Sequence, residues 1–371
     1  MTYFKILLPN TTPSFIPLVY VESFIFTEDI NKLYSGAKLV LKELGSEMFE
    51  VLKTGQSVDI VLYGQNDVEY TNHMKVMQVN RVPVPNSALI SNVEVTLISS
   101  WYFEPLIETK VYRGNVGNII SEIYERKFKN IELNSSFSST SEPARIRYQI
   151  AEKTQNFMKR LIPYGSISNY PLYLYTDSRN TLNLKGLNDF INSYVKYAYV
   201  SDYVSTIQAN VANATNTYNT IRMKGYRLNS SSQISASKQT TYFTTDNFVC
   251  SSDKATSSKL ANAEASNSLS KVTTPPTIKY TNWAMTPQDA LNTTTKQFYD
   301  ENLDIYTLSC TLYGFAVDEA KLGNLIKVVL PKSENQSEEA NGSAGYVIQH
   351  VDYVWQGDQA VTNILMFLAR Y

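Results

Sequence analysis

The stretch AGYVIQHVDYVWQGDQAVTNILMFLARY, residues 344–371, reads as two strands around a turn at Gln356-Gly357-Asp358-Gln359, because turn formers separate two runs rich in β-branched and aromatic residues. Strict alternation puts Val347, Val351, Tyr353 and Trp355 on one face and Tyr346, Ile348 and Val354 on the other. The second run repeats the pattern, with Ile364, Met366 and Leu368 set against Leu365, Phe367 and Ala369. Neither face reads as polar. A sheet with one solvated side would alternate apolar with polar, so the second face of this hairpin needs a cover.

Working outward, the same pattern occurs near the start of the chain. TGQSVDIVLYG, MKVMQVN and VEVTLIS are followed, in the same order, by LGNLIKVVLP, YVIQHVD and VTNILMF. The spacing agrees: 323 − 55 = 268 for the glycines, 349 − 78 = 271 for Gln78 and Gln349, and 361 − 93 = 268 for Val93 and Val361. Order and spacing together indicate an internal repeat of short strands, each copy suited to a small barrel.

Between the copies the period changes. In GNVGNIISEIYERKF, Val116, Ile119, Ile120, Ile123 and Tyr124 fall at the i, i+3, i+4, i+7, i+8 spacing of an amphipathic helix. The strand ARIRYQI leads into KTQNFMKRLIPYG, where Phe157, Met158, Leu161 and Ile162 form a second helical stripe ended by Pro163 and Gly165. YPLYLYTDSRNTLNLKG is a hairpin turning at Asp177–Asn180. From about residue 228 the chain becomes rich in Ser, Thr, Asn, Lys and Ala, which predicts an exposed insertion with one Ala-rich helix between residues 255 and 271.

The expected fold is therefore mainly β with α+β inserts: two similar small antiparallel barrels bracketing an α/β module, plus a polar insertion in the second barrel. The boundaries are 1–103 for the first barrel, 104–204 for the module, 205–228 with 303–371 for the second barrel, and 229–302 for the insertion.

Composition narrows the function. The 371 residues carry a net charge of −1, which supplies no basic field for nucleic acid or an anionic membrane. Cys250 and Cys310 are too few for a disulfide framework, although one bridge between them stays open. The start shows no signal peptide, and no apolar run is long enough for a transmembrane helix. His73 and His350 have no further His or Cys at ligand spacing, so no metal is expected, and no GxSxG, Walker, HExxH or Rossmann glycine pattern is present. GNVGN, residues 114–118, precedes a helix and would suit a phosphate only if more of a nucleotide fingerprint accompanied it. The carboxylate pairs Glu338-Glu339 and Asp300-Glu301 read as solvated rather than as hydrolytic acids. No catalytic, cofactor or metal residue is assigned.

The GxxVxIxL strand at Gly55–Leu62, the VxQV strand at Val76–Val79 and the terminal hairpin, with VYRGNVGNIISEIYERKF and ARIRYQIAEKTQNFMKRLIPYG between them, resemble the baseplate hub proteins of contractile-tailed phages. The phage late-control protein and the amino-terminal part of type VI secretion spike proteins share that architecture. The resemblance implies a non-enzymatic homotrimer whose six barrels adapt a six-fold tail tube to a three-fold central spike and let the genome pass. It implies as partners the chain itself, the spike, the tube or its initiator and the baseplate wedges, with DNA only in transit and no membrane, in a virion assembled in the host cytoplasm. It also offers a cover for the second face, a neighbouring barrel, and makes Tyr353, Trp355, Leu365, Met366 and Phe367 the candidate contact residues. The Ser/Thr/Asn-rich stretch, 228–280, departs from that family. Two other classes stay open: a carbohydrate-binding or hydrolysing β protein, and a single-strand nucleic-acid-binding barrel.

Overall fold

The computed structural model describes residues 3–42, 52–64, 67–83, 91–103, 107–128, 132–133, 140–168, 170–191, 198–200, 204–211, 221–226, 232–236, 239–243, 247–251, 277–281, 292, 296, 300, 306–329 and 344–368. The fold is mainly β, built on a curled antiparallel sheet with few helices.

The first part supplies β1 (Phe4–Leu7), β2 (Val21–Asp29), β3 (Gly36–Leu41), β4 (Ser57–Tyr63), β5 (Glu69–Pro83) and β6 (Ser91–Ser99). Next come β7 (Ile107–Gly114), helix α1 (Val116–Lys127), β8 (Arg145–Lys153), helix α2 (Thr154–Leu161), β9 (Tyr170–Thr176), β10 (Thr181–Gly186) and helix α3 (Leu187–Ile191). The last part supplies β11 (Ala198–Val200), β12 (Val204–Val211), β13 (Tyr306–Tyr313), β14 (Leu325–Val329), β15 (Ala344–Gln356) and β16 (Gln359–Leu368).

One 12-stranded sheet runs β1-β4-β5-β6-β3-β2-β15-β16-β13-β12, with β14 on the free stretch of β15 and β11 beyond it. Its first half is ordered β1-β4-β5-β6-β3-β2 and its second β11-β14-β15-β16-β13-β12. Five strands of each half correspond one to one, β4-β5-β6-β3-β2 with β14-β15-β16-β13-β12, their neighbours all antiparallel; the sixth strands differ, β1 being antiparallel to β4 and β11 parallel to β14.

The correspondence extends to irregularities. Gly55 and Gly323 both have left-handed φ, +87° and +71°, a conformation glycine reaches without a Cβ penalty. The Gly55 N–H donates to the Val76 carbonyl at 2.7 Å and the Val76 N–H to the Gln56 carbonyl at 2.9 Å; the Gly323 N–H donates to Ile348 at 2.9 Å and the Ile348 N–H to Asn324 at 3.1 Å. Directly after each bonded residue the ladder slips, between Val76 and Gln78 and between Ile348 and His350. A second matched slip lies between Val21 and Ser23 and between Val204 and Thr206. The glycine match read from sequence fits this geometry. The other two matches are off by one residue: Gln78 corresponds to His350 rather than Gln349, and Val93 to Thr362 rather than Val361.

The same bulge resolves the two-faced hairpin. An extra residue resets alternation, so the inward side of β15 runs Ile348, Val351, Tyr353 and faces Met366, Ile364 and Thr362 across the ladder, all buried. Ile348 and Val347 thus exchange the sides that strict alternation gave them. The outer side is Val347, His350, Asp352 and Val354, opposite Phe367, Leu365, Asn363 and Val361. It is buried at the Val347–Phe367 end and polar in the middle. The turn has left-handed φ at Gly357 (+56°) and Asp358 (+65°), the geometry that matches strand twist in a two-residue hairpin.

Two cores form. The large one fills the sheet, including Phe4, Phe24, Phe26, Tyr353 and Phe315, and takes in Tyr173, Tyr175, Leu187 and Phe190 from the middle segment. The second gathers Tyr112, Val116, Ile119, Ile120, Ile123, Phe157, Met158 and Leu161 with Leu172, Leu174, Leu182 and Leu184. β9 therefore lies between them, its tyrosines toward one core and its leucines toward the other, which is why YPLYLYT is apolar on both sides.

Residues 221–226, grouped with the second barrel on sequence, pair instead with 247–251 and 277–281 in a separate five-stranded sheet that also holds 232–236 and 239–243. That sheet uses the Ser/Thr-rich stretch, whose TYF and FVC segments carry strand-favouring residues within a polar composition. The helix expected at 255–271 lies outside the described residues.

Candidate assembly interface

The two halves of the main sheet meet where β2 pairs β15, from Ser23 opposite Gln356 to Asp29 opposite His350. On the inner side the Phe26 and Tyr353 rings sit 6.2 Å apart. Beside them Glu28 is fully buried, accepting the Tyr353 hydroxyl at 3.2 Å and the Ser178 backbone N–H from the β9–β10 turn. One carboxyl thereby joins both halves and the middle segment. Burial, with the nearby Asp177 charge, pushes the Glu28 pKa up to about 8 despite those hydrogen bonds.

On the outer side the Thr27 hydroxyl donates to Asp352 at 2.5 Å. His350 lies between two carboxylates, Nδ1 at 3.2 Å from Asp29 and Nε2 at 3.1 Å from Asp352. Burial pulls its pKa down, but the hydrogen bonds and charges of Asp29 and Asp352 outweigh this and raise it to about 9. At neutral pH the imidazole is therefore a cation that donates to both strands. Burial acts to raise Asp352, and the His350 and Thr27 bonds outweigh it, leaving its pKa lowered.

Of the candidate contact residues, Tyr353, Met366 and Phe367 are fully buried within the chain. Trp355 is half-buried, its ring 5.8 Å from Phe4 in an edge-on contact. Leu365 is half-buried on the outer side, opposite His350 and Ser309. The five residues are thus spread over two sides of one hairpin.

The remaining sequence candidates find ordinary partners. The amino end of α1 at GNVGN is filled by the chain itself: Glu142 accepts the Val116 N–H, Thr140 the Gly117 N–H at 3.1 Å, and Asn115 the Asn118 N–H at 2.8 Å. A carboxylate thus stands where an anion would bind. His73 pairs with Asp59 at 2.8 Å across the β4–β5 ladder, its imidazole half exposed. Asp300 accepts the Tyr173 hydroxyl at 3.2 Å and pairs with Lys296, while Glu301, Glu338 and Glu339 lie outside the described residues. Cys310 is a free buried thiol, its pKa pushed to about 12 by burial. Among the described residues no group of three or more His, Cys, Asp or Glu is placed to hold a metal ion, and no helix is long and apolar enough to cross a membrane.

Sequence reasoning missed Glu28 and the β2 edge, whose partner lies more than 300 residues away. It named the ARIRYQI strand but not its pairing with β7 in a ribbon that exposes Ile107, Val111, Ile146, Tyr148 and Ile150 while Tyr112, Arg147 and Gln149 turn inward.

No protein-family model matches the chain, and no curated protein matches it in sequence. Solved structures do. The 43 kDa tail protein of prophage MuSo2 from Shewanella oneidensis superimposes with a TM-score of 0.63 at 10% identity, over 99% of each chain. A tail protein from Neisseria meningitidis MC58 gives 0.62 at 11% identity, over 98% of this chain and 96% of that one. Across essentially its whole length, the chain has the fold of these phage tail proteins.

Proposed function

We propose that this chain is a structural hub of a contractile tail baseplate, a homotrimer whose six sheet halves form a ring around a lumen. The observation that carries the reading is the matched pair of halves, joined so that an edge of one meets a non-equivalent edge of the other. A head-to-tail contact between like units is the contact that builds rings. The tail-protein fold supports the same reading. In this account six similar halves present a quasi-six-fold rim to the tail tube, while three copies of the middle segment give the central spike a three-fold seat. The lumen then passes the genome once the spike has left. Baseplate wedge proteins would surround the ring, and the protein would reside in the virion after assembly in the host cytoplasm. No chemistry is asked of it.

Particle averaging by electron microscopy tests the reading. A three-fold particle with six similar lobes around a hole supports it, and isolated globular monomers at micromolar concentration overturn it.

A further inference from the structure

Repeating the internal seam through the strand correspondence identifies two edges that a second copy would join. β15 is shared along one edge: β14 pairs Ala344–Val347, the Gly323 turn takes Ile348, and β2 pairs His350–Gln356. β5 begins the same way, with β4 pairing Glu69–Lys75 and the Gly55 turn taking Val76. From Met77 to Pro83 no described strand lies on that edge, although β6 continues along the other as far as Pro83 opposite Ser91. Met77 is 53% exposed, and Gln78 and Arg81 are exposed. The complementary edge belongs to β12, the equivalent of β2, which among the described residues pairs only β13. Two backbone edges without a partner strand among the described residues are a liability unless something covers them.

We infer that a second copy of this chain docks by pairing the outer edge of its β12 with residues 78–82 of β5, antiparallel and in the register of the β2–β15 seam. The inference rests on the ring reading and adds the strands and the register. The correspondence fixes the partners. Phe24 opposite Leu39 and Ile207 opposite Cys310 make 24 equivalent to 207, since Leu39 and Cys310 face Val95 and Ile364, the matched positions of β6 and β16. Val76 and Ile348 make 78–82 equivalent to 350–354. Thr27 opposite Asp352 therefore becomes Asn210 opposite Asn80 of the next copy, and Ile25 opposite Val354 becomes Gln208 opposite Val82. The position that carries a polar pair inside the chain carries one between copies. Pro83, which has no N–H to donate, closes the seam at its far end. Because β12 and β5 are different strands, each copy offers one edge and accepts on the other, so the contact propagates head to tail.

The test is cysteine cross-linking of the full chain in a Cys250→Ser background with buried Cys310 retained. Asn80→Cys with Asn210→Cys should form covalent oligomers under mild oxidation. Asn80→Cys with Gln208→Cys, two residues out of register, should link at least about tenfold more slowly, because a disulfide needs Cα atoms within about 7 Å. Val82→Cys with Gln208→Cys is a second in-register pair should the first variant misfold. Thr27→Cys with Asp352→Cys, which should close within one chain, is the positive control. Protein that is oligomeric by native mass but leaves both in-register pairs unlinked, or links the offset pair equally, overturns this seam and leaves the ring reading standing. Protein that stays monomeric at every concentration overturns both.

Discussion

Glu28 gives the junction a pH dependence that one substitution should remove. Its carboxyl is raised from 4.5 to about 8 by burial and by Asp177. The folded state therefore holds a proton that the unfolded state releases near pH 4.5. Stability from this group is complete below that pH and is lost as pH rises through 8. Between pH 5 and 7 the folded chain keeps the proton and the unfolded one does not. At about 1.4 kcal/mol per pH unit, with the unfolded group still partly protonated at pH 5, the loss is about 2.5 kcal/mol. Glu28→Gln keeps the shape without the charge: its carbonyl can accept the Ser178 N–H, and its amide can donate to the Tyr353 oxygen after the hydroxyl turns. The variant should match wild type at pH 5 and exceed it at pH 7, with urea midpoints followed by tryptophan fluorescence separating by roughly 1 M. Parallel midpoints across this range, or a variant weaker at every pH, would refute the assignment of a buried proton to this junction.

His350 should add a later decline. Its pKa is raised from 6.5 to about 9, so its contribution is complete below pH 6.5 and lost as pH rises through 9; His350→Gln should flatten the midpoint between pH 7 and 9.5 in a Glu28→Gln background. Gly323→Ala should cost about 2–4 kcal/mol, because the new Cβ would meet the Phe190 ring at 2.7 Å and the Tyr175 hydroxyl at 2.8 Å besides holding a left-handed φ. Gly55→Ala, with 3.9 Å to the Phe103 ring, should cost only about 1 kcal/mol in the same unfolding assay. Glu142→Ala strips the acceptor from the Val116 and Ser166 N–H groups and should lower stability by about 2–4 kcal/mol, read by thermal unfolding. Met366→Lys buries a charge in the core and should leave no cooperative transition, whereas Leu365→Lys, half-buried on the outer side, should keep its circular dichroism and a cooperative thermal transition.

Local chemistry was legible in the sequence where it rests on few neighbours. The stripe of Val116, Ile119, Ile120 and Ile123 became the buried face of α1, and Gly55 and Gly323 marked two turns whose φ favours glycine. Met77 and Gln349 were not legible as bulges, because nothing in either side chain distinguishes an extra residue from a strand residue; the turn hydrogen bonds beside them set the slip. Alternation read straight through Gln349 consequently exchanged Val347 with Ile348, while His350, Asp352 and Asn363, which share the outer side with Val354 and Leu365 by parity, were passed over because only apolar residues were read. The β2–β15 seam joins residues more than 300 apart and depends on which edges remain open after each half has formed. No periodicity carries that information. Strand 221–226 went elsewhere for a similar reason: its alternation suits any sheet, and its partners at 247–251 and 277–281 lay in a stretch that composition alone described as polar.

The central claim is that one chain carries two of six equivalent ring units. Native mass spectrometry of the purified chain across nanomolar to micromolar concentration tests it most directly. The account predicts a dominant species of three times the 42.0 kDa chain, with no stable dimer of comparable abundance, since a closed head-to-tail ring leaves no free edge while a dimer leaves two. A monomer throughout that range, or a two-fold dimer as the end point, would contradict it.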